Sequence, residues 1–175
     1  MRRIVSLILI CLMIFSLSAC DGYLFIGDGW QDTPEKALKI EADNPMDGES
    51  LTPSLLLDTW YVEDKAFMIF VSEAGGLTEA EFVTNEKGQY HFYGFSEGTP
   101  DSFIIGEENE FASYSRYGSY VWGYTYSSER ITVNGVDPEI KSYVFTCEDK
   151  EWTINRFWIE GIDEDAEIII EHVIK

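Results

Sequence analysis

Histidine and cysteine are scarce in this chain of 175 residues: only His91 and His172, and only Cys11, Cys20 and Cys147. No HxH or HExxH spacing occurs, so a zinc site of the usual kind has too few ligands. No G-x-S-x-G elbow marks a serine hydrolase, and no Gly-rich loop is built to cradle a phosphate. Positive charge is short as well. Twelve Lys and Arg stand against 32 Asp and Glu, a net charge of −20. That imbalance opposes nucleic acid and anionic head groups. Its plain meaning is solubility; its sharper meaning is a cationic partner or bound divalent ions. Long apolar runs are missing except for Ile4 to Phe15, which is shorter than the ~20 residues of a spanning helix.

That run sits between Arg2-Arg3 and Leu17-Ser18-Ala19-Cys20. A basic start, a short apolar stretch and small residues before a cleavage point are the order of a secretory signal peptide, here residues 1–19. Arg2-Arg3 lack the flanking residues of a twin-arginine signal. The last four residues resemble a lipobox, the mark of bacterial lipoproteins. The resemblance implies that Cys20 opens the mature chain and carries a thioether-linked diacylglycerol, with its amine open to further acylation. Two or three chains anchor stably where one binds only marginally. The expected location is the cell membrane, lipid-anchored and facing outward.

Cleavage before Cys20 leaves 156 residues and takes the net charge from −20 to −22. This length suits one domain on a tether. With Cys11 removed and Cys20 lipidated, Cys147 has no disulfide partner. Core packing must then hold the fold, and 26 aromatic residues, 25 of them after residue 19, supply the material.

Residues 20–53 read as the lipidated N-terminus and a tether. One short helix is expected over 33–42, with Thr33 as cap, Pro34 in its first turn, and Ala37, Leu38 and Ile40 as its apolar face. The run Thr33-Pro34-Glu35-Lys36-Ala37-Leu38 resembles the opening of small Gram-positive lipoproteins of unknown function. Residues 54–175 read as a β domain. Strands are expected over 55–62, 66–72, 80–84, 89–95, 103–105, 119–126, 131–133, 141–147, 152–160 and 166–174. Turns at 63–65, 85–88, 134–135 and 148–150 separate them. Ala66 to Ser72 is apolar on both faces, as a central strand would be. Regular short strands with almost no helical period predict a mainly β fold, an antiparallel sandwich or barrel.

One strand carries the candidate binding face. Side chains alternate across a strand, so Tyr120, Trp122, Tyr124 and Tyr126 share a side. An exposed ladder of rings at this spacing stacks sugar rings or grips a peptide; a buried one fills a sandwich core. Trp152, Arg156 and Trp158 share another face, where an Arg over an indole makes a cation–π pair. Cys147 falls with Tyr143 and Phe145 and reads as a buried, inert thiol. His172 shares parity with Ile168, Ile170 and Ile174, and His91 sits beside Tyr90 and Phe92; both read as core residues. Asp163, Asp165 and Glu167 alternate as in a calcium loop, but Ile168 stands where an EF-hand requires Gly and no bidentate Glu follows. Asp43, Asn44, Asp47 and Glu49 form a second acidic loop without a motif. With 32 carboxylates, a catalytic pair cannot be singled out from the sequence.

The reading that follows is a surface-anchored, non-enzymatic accessory or interaction protein with a membrane or cell-wall protein as partner. No nucleic acid, cofactor or metal is expected. The alternative is a carbohydrate or wall-polymer binding module that uses the aromatic face. A hydrolase working through two carboxylates in a cleft stands third. The anchor itself is open to test. Cys20→Ala is expected to leave an unprocessed precursor on an immunoblot of fractionated cells, and normal processing with membrane retention would rule the anchor out.

Overall fold

Strand Lys65–Ser72 (β2) explains the architecture. Its alternate side chains enter two separate cores: Phe67, Ile69 and Val71 one, Ala66, Met68 and Phe70 the other. A strand apolar on both faces has to be covered on both. The computed structural model of the protein describes residues 29–43, 51–104, 114–126, 130–147 and 149–172. The signal segment, Cys20, and Asn44, Asp47 and Glu49 lie outside them. None of the described helices is long and apolar enough to cross a membrane.

Around β2 runs an antiparallel meander of β1 (Pro53–Val62), β2, β3 (Leu77–Thr84) and β4 (Tyr90–Gly98), adjacent in chain order. The second sheet holds β5 (Ser115–Tyr117), β6 (Tyr120–Tyr126), β8 (Glu139–Cys147) and β9 (Lys150–Ile159), in the order β5-β6-β9-β8. Its pairings are antiparallel too. The inner faces of the two sheets meet in the largest core, which joins Trp60, Phe67 and Ile69 to Trp122, Phe145 and Ile154. The described strands form no closed barrel, so of the two expected forms the sandwich is the one adopted.

Both outer faces are covered over their central strands, while β8 keeps Ile140 and Val144 exposed on its outer side. Helix α1 (Pro34–Asp43) lays Ala37 and Leu38 on the far side of the first sheet, against Met68, Phe70 and Phe82. Thr33 caps it through a contact of 3.4 Å to the Lys36 amide. The helix expected within a tether is therefore docked on the sheet, and Gln31 adds a bridge to Tyr90. On the second sheet, a ribbon of β7 (Ile131–Val133) and β10 (Ile170–His172) covers Phe157. The turn at Asn134-Gly135 has the left-handed φ values, 50° and 76°, that an Asn-Gly hairpin favours.

Three expectations change. Residues 103–105 were expected to form a strand, but Pro100–Phe103 is a short helical turn (α2) and Ile104 forms an isolated bridge to Tyr124; residue 105 lies outside the described residues. Pro100 presets the first helical φ, and the Thr99 carbonyl accepts from both the amide and the hydroxyl of Ser102. Of the last expected strand, 166–174, the described residues 166–169 are not strand and Ile170–His172 is. Backbone groups just before it are claimed elsewhere: Arg116 donates to the Asp163 and Ala166 carbonyls, and the Asn134 side-chain amide donates to the Glu167 carbonyl and accepts from the Ile169 N–H. Strand β5 was not expected at all.

A buried charge pair ties the two sheets on the β1/β8 side. Arg156 of β9 is 4% exposed, with its guanidinium 4.2 Å from the Trp60 ring and 4.5 Å from the Trp158 ring. Asp58 of β1 lies 3.4 Å from that guanidinium and accepts hydrogen bonds from Lys141 (2.7 Å) and Tyr143 (2.6 Å) of β8. The predicted Arg–Trp158 pair is present, but the second indole is Trp60; Trp152 carries Lys150 instead, at 3.7 Å. Burial pushes the Asp58 carboxyl up. The hydrogen bonds from Lys141 and Tyr143 and the charges of Arg156 and Lys141 outweigh it and hold the group below its ordinary 3.8. Its stabilising contribution is thus present above that value and lost as pH falls through the lowered one. Asp58→Ala leaves Arg156 buried without its ion partner. Urea unfolding should show a loss of about 3–5 kcal/mol at neutral pH and a flatter acid limb; an unchanged acid limb would assign that limb to other carboxylates.

Candidate functional site

The aromatic face on β6 belongs to the interior. Tyr120, Trp122 and Tyr124 are 7%, 3% and 4% exposed, and Tyr126 is half-buried. Trp122 packs 4.6 Å from Phe67 and 6.4 Å from Trp60, centroid to centroid. The exposed ladder for stacking sugar rings is therefore absent, because the first sheet lies over it. The hydroxyls find partners at the rim, as buried Tyr requires: Tyr126 donates to Asp101 at 2.6 Å, and Tyr124 donates to Glu79.

Glu79 leads to the site. On β3, Leu77, Glu79 and Glu81 alternate onto the inner face, while Thr78, Ala80 and Phe82 face the helix side. Opposite Glu81 and Glu79 on the edge strand β4 stand Gly94 and Ser96. Opposite Trp122 on the edge strand β5 stands Ser115. With small residues on both edge strands, the sheets do not close on this side. Two adjoining cavities of about 440 and 300 Å³ remain, and both are bordered by Glu79, Ser96 and Ser115. Lys65, Tyr93, Tyr117 and Trp122 border the larger, and Tyr124 the smaller. A Cβ placed on Gly94 would meet nothing within 4 Å, which shows how open the groove is there.

Charges in the groove are unequally satisfied. Glu81 pairs with Lys65, whose ammonium lies 4.4 Å from the Tyr117 ring and 5.3 Å from the Tyr93 ring. The hydrogen bond that Tyr117 donates to Asp64 pushes its phenol up to about 12, so it stays protonated. Arg116 is held by the carbonyls of Gly118, Ala166 and Asp163. Glu79 accepts from the Tyr124 hydroxyl and, at 3.4 Å, from the Trp122 indole, and both donors are neutral. Burial pushes the Glu79 carboxyl above its ordinary value, against the pull of those two hydrogen bonds and of the Arg156 charge. Tyr124 is raised well above its own, first by burial and then by Glu79.

None of the other candidates borders either cavity. Cys147 is buried with its thiol on the Gly75 carbonyl. His91 meets Trp30 edge-on at 5.4 Å, and His172 is half-buried opposite Ile131. Asp163 bonds the Asp165 amide in an exposed turn. Among the described residues, no three His, Cys, Asp or Glu side chains come together as ligands for a metal ion. No protein-family model, curated protein or solved structure matches this chain.

Sequence reasoning missed Glu79, Glu81, Gly94, Ser96 and Ser115. The available signal was two Glu at strand spacing in Leu77-Thr78-Glu79-Ala80-Glu81-Phe82. Alternation assigns them to one face without saying which face the second sheet covers. The desolvated Glu79 has a measurable consequence. A carboxyl with a raised folded value loses stability for the protein as pH climbs from its ordinary 4.5 through that value. Glu79→Gln keeps an acceptor for Trp122 and Tyr124 and cannot ionise. Urea unfolding across pH should show it more stable than the native protein at neutral pH and level with it below pH 4.5; equal stability at every pH would show that the carboxyl is not desolvated.

Proposed function

We propose that this protein is a lipid-anchored, outward-facing binding protein without catalytic activity of its own, and that it holds its partner at the groove between β4 and β5. Residues 1–20 support the anchor. The groove supports the binding role, and one observation carries it. The outer faces of both sheets are covered over their centres and the β1/β8 side is tied by Asp58, whereas the β4/β5 side presents hydroxyls, carboxylates and aromatic edges in an open cavity. Its volume lies in the range of about 300–1,000 Å³ usual for ligand sites. Glu81 is paired with Lys65 while Glu79 accepts only from two neutral donors, so the groove offers a carboxylate to a partner.

A carbohydrate or wall-polymer module is the second reading. The side chain that favours it is Tyr93, 66% exposed at the groove mouth beside Tyr117. It no longer rests on the β6 face.

Cross-linking on intact cells followed by mass spectrometry tests both readings. The discriminating variant is Gly94→Trp, whose side chain enters the groove. Gly94 is a half-buried edge position whose added Cβ would meet nothing within 4 Å, so the change is expected to shift stability by only about 0.5 kcal/mol. One dominant membrane or wall protein captured by the native chain and lost with Gly94→Trp supports the groove as the partner site. Capture that survives the variant moves the partner elsewhere, and wall glycan alone supports the second reading.

A further inference from the structure

Resting on that reading of the groove, we infer that it recognises a small ligand through a primary ammonium group, with Glu79 as the counter-ion. The argument starts from charge pairing. Among the described residues, Glu79 takes part in no ion pair and receives its hydrogen bonds from neutral donors. The cations around it are engaged elsewhere: Lys65 by Glu81, Arg116 by three carbonyls, Arg156 by Asp58. An ionised carboxylate lining a cavity without a cation is a costly arrangement that a cationic ligand relieves.

The groove already shows what its walls accept. The Lys65 ammonium sits on Glu81 and over the rings of Tyr117 and Tyr93, a carboxylate-and-aromatic seat of the kind that binds cations. Glu79 is two residues further along the same face of β3, about 7 Å away. There it has an indole edge and a phenol as neighbours and the Ser96 and Ser115 hydroxyls as further acceptors. A second ammonium at Glu79 would repeat the seat that Lys65 occupies at Glu81. The overall charge of −20 draws cations toward the protein from solution. The two adjoining cavities accommodate a small polar molecule behind the ammonium, such as an amino sugar or an alkyl amine.

The test uses two amines and their neutral counterparts: glucosamine against glucose, and cadaverine against 1,5-pentanediol. Binding is followed by calorimetry and by the Trp122 indole N–H resonance, assigned through Trp122→Phe. At least one amine is expected to shift that resonance saturably and to bind tenfold or more tightly than its neutral counterpart. Glucosamine alone would identify an amino sugar, cadaverine alone an alkyl amine. Glu79→Gln should weaken amine binding tenfold or more, Gly94→Trp should abolish it, and Glu151→Gln, a charge-matched change on an exposed position, should leave it intact. Amine and neutral counterpart binding equally, with Glu79→Gln unaffected, would overturn ammonium recognition while leaving the groove a ligand site. Amine binding that Gly94→Trp does not alter, or no shift at Trp122 with any probe, would also overturn it. The cell-capture result with Gly94→Trp decides separately whether the groove holds the partner.

Discussion

Arg156 sits where the two sheets meet, and the rest of the sandwich is arranged around keeping its charge satisfied in the interior. The guanidinium is planar and weakly hydrated, so two indole faces can hold it where an ammonium would be far harder to desolvate. Trp60 comes from the first sheet and Trp158 from the second, and Asp58 supplies the opposite charge from the first. Asp58 also receives Lys141 and Tyr143 from β8, so one carboxylate holds three strands in register. An inward-facing charge on the edge strand β1 also discourages pairing of that edge with another chain.

That closure on one side makes the other side informative. A sandwich sealed along both edges would be a packed core with no room for a ligand. Here β1 and β8 are bound through Asp58, whereas β4 and β5 face each other with Gly94, Ser96 and Ser115. Short side chains at facing edge positions leave volume, and that volume borders Trp122 and Tyr124, whose donors reach Glu79 while their rings remain in the core. The same two residues thus belong to the core by area and to the groove by their donors.

The four layers follow from β2. Sheets that are apolar on both sides are rarely left with one face in water. Helix α1 and the β7/β10 ribbon are short elements that would not be stable alone, and each is held by the face it covers. Their placement turns a two-sheet sandwich into one with both outer faces dry over their centres. It is also why the inward Glu residues of β3 look outward by pattern: the apolar face of that strand, Ala80 and Phe82, belongs to the helix side.

Much was determined by local sequence alone. The doubly apolar β2, the Asn134-Gly135 turn, the Thr33-Pro34 helix start and the buried Cys147 could be read because each depends on neighbours a few residues away. The mainly β class followed from the same short-range alternation. What the tertiary structure decided was which face meets which. Alternation separates the two sides of a strand but does not name them, so Tyr120, Trp122 and Tyr124 could be read as a binding ladder or as a core until the first sheet lay over them. Glu79 and Glu81 became a site only when Gly94 and Ser96, opposite them on β4, and Ser115, from a strand in the other sheet, left space in front of them. A groove is a property of what several distant segments fail to fill, and no single segment carries that information.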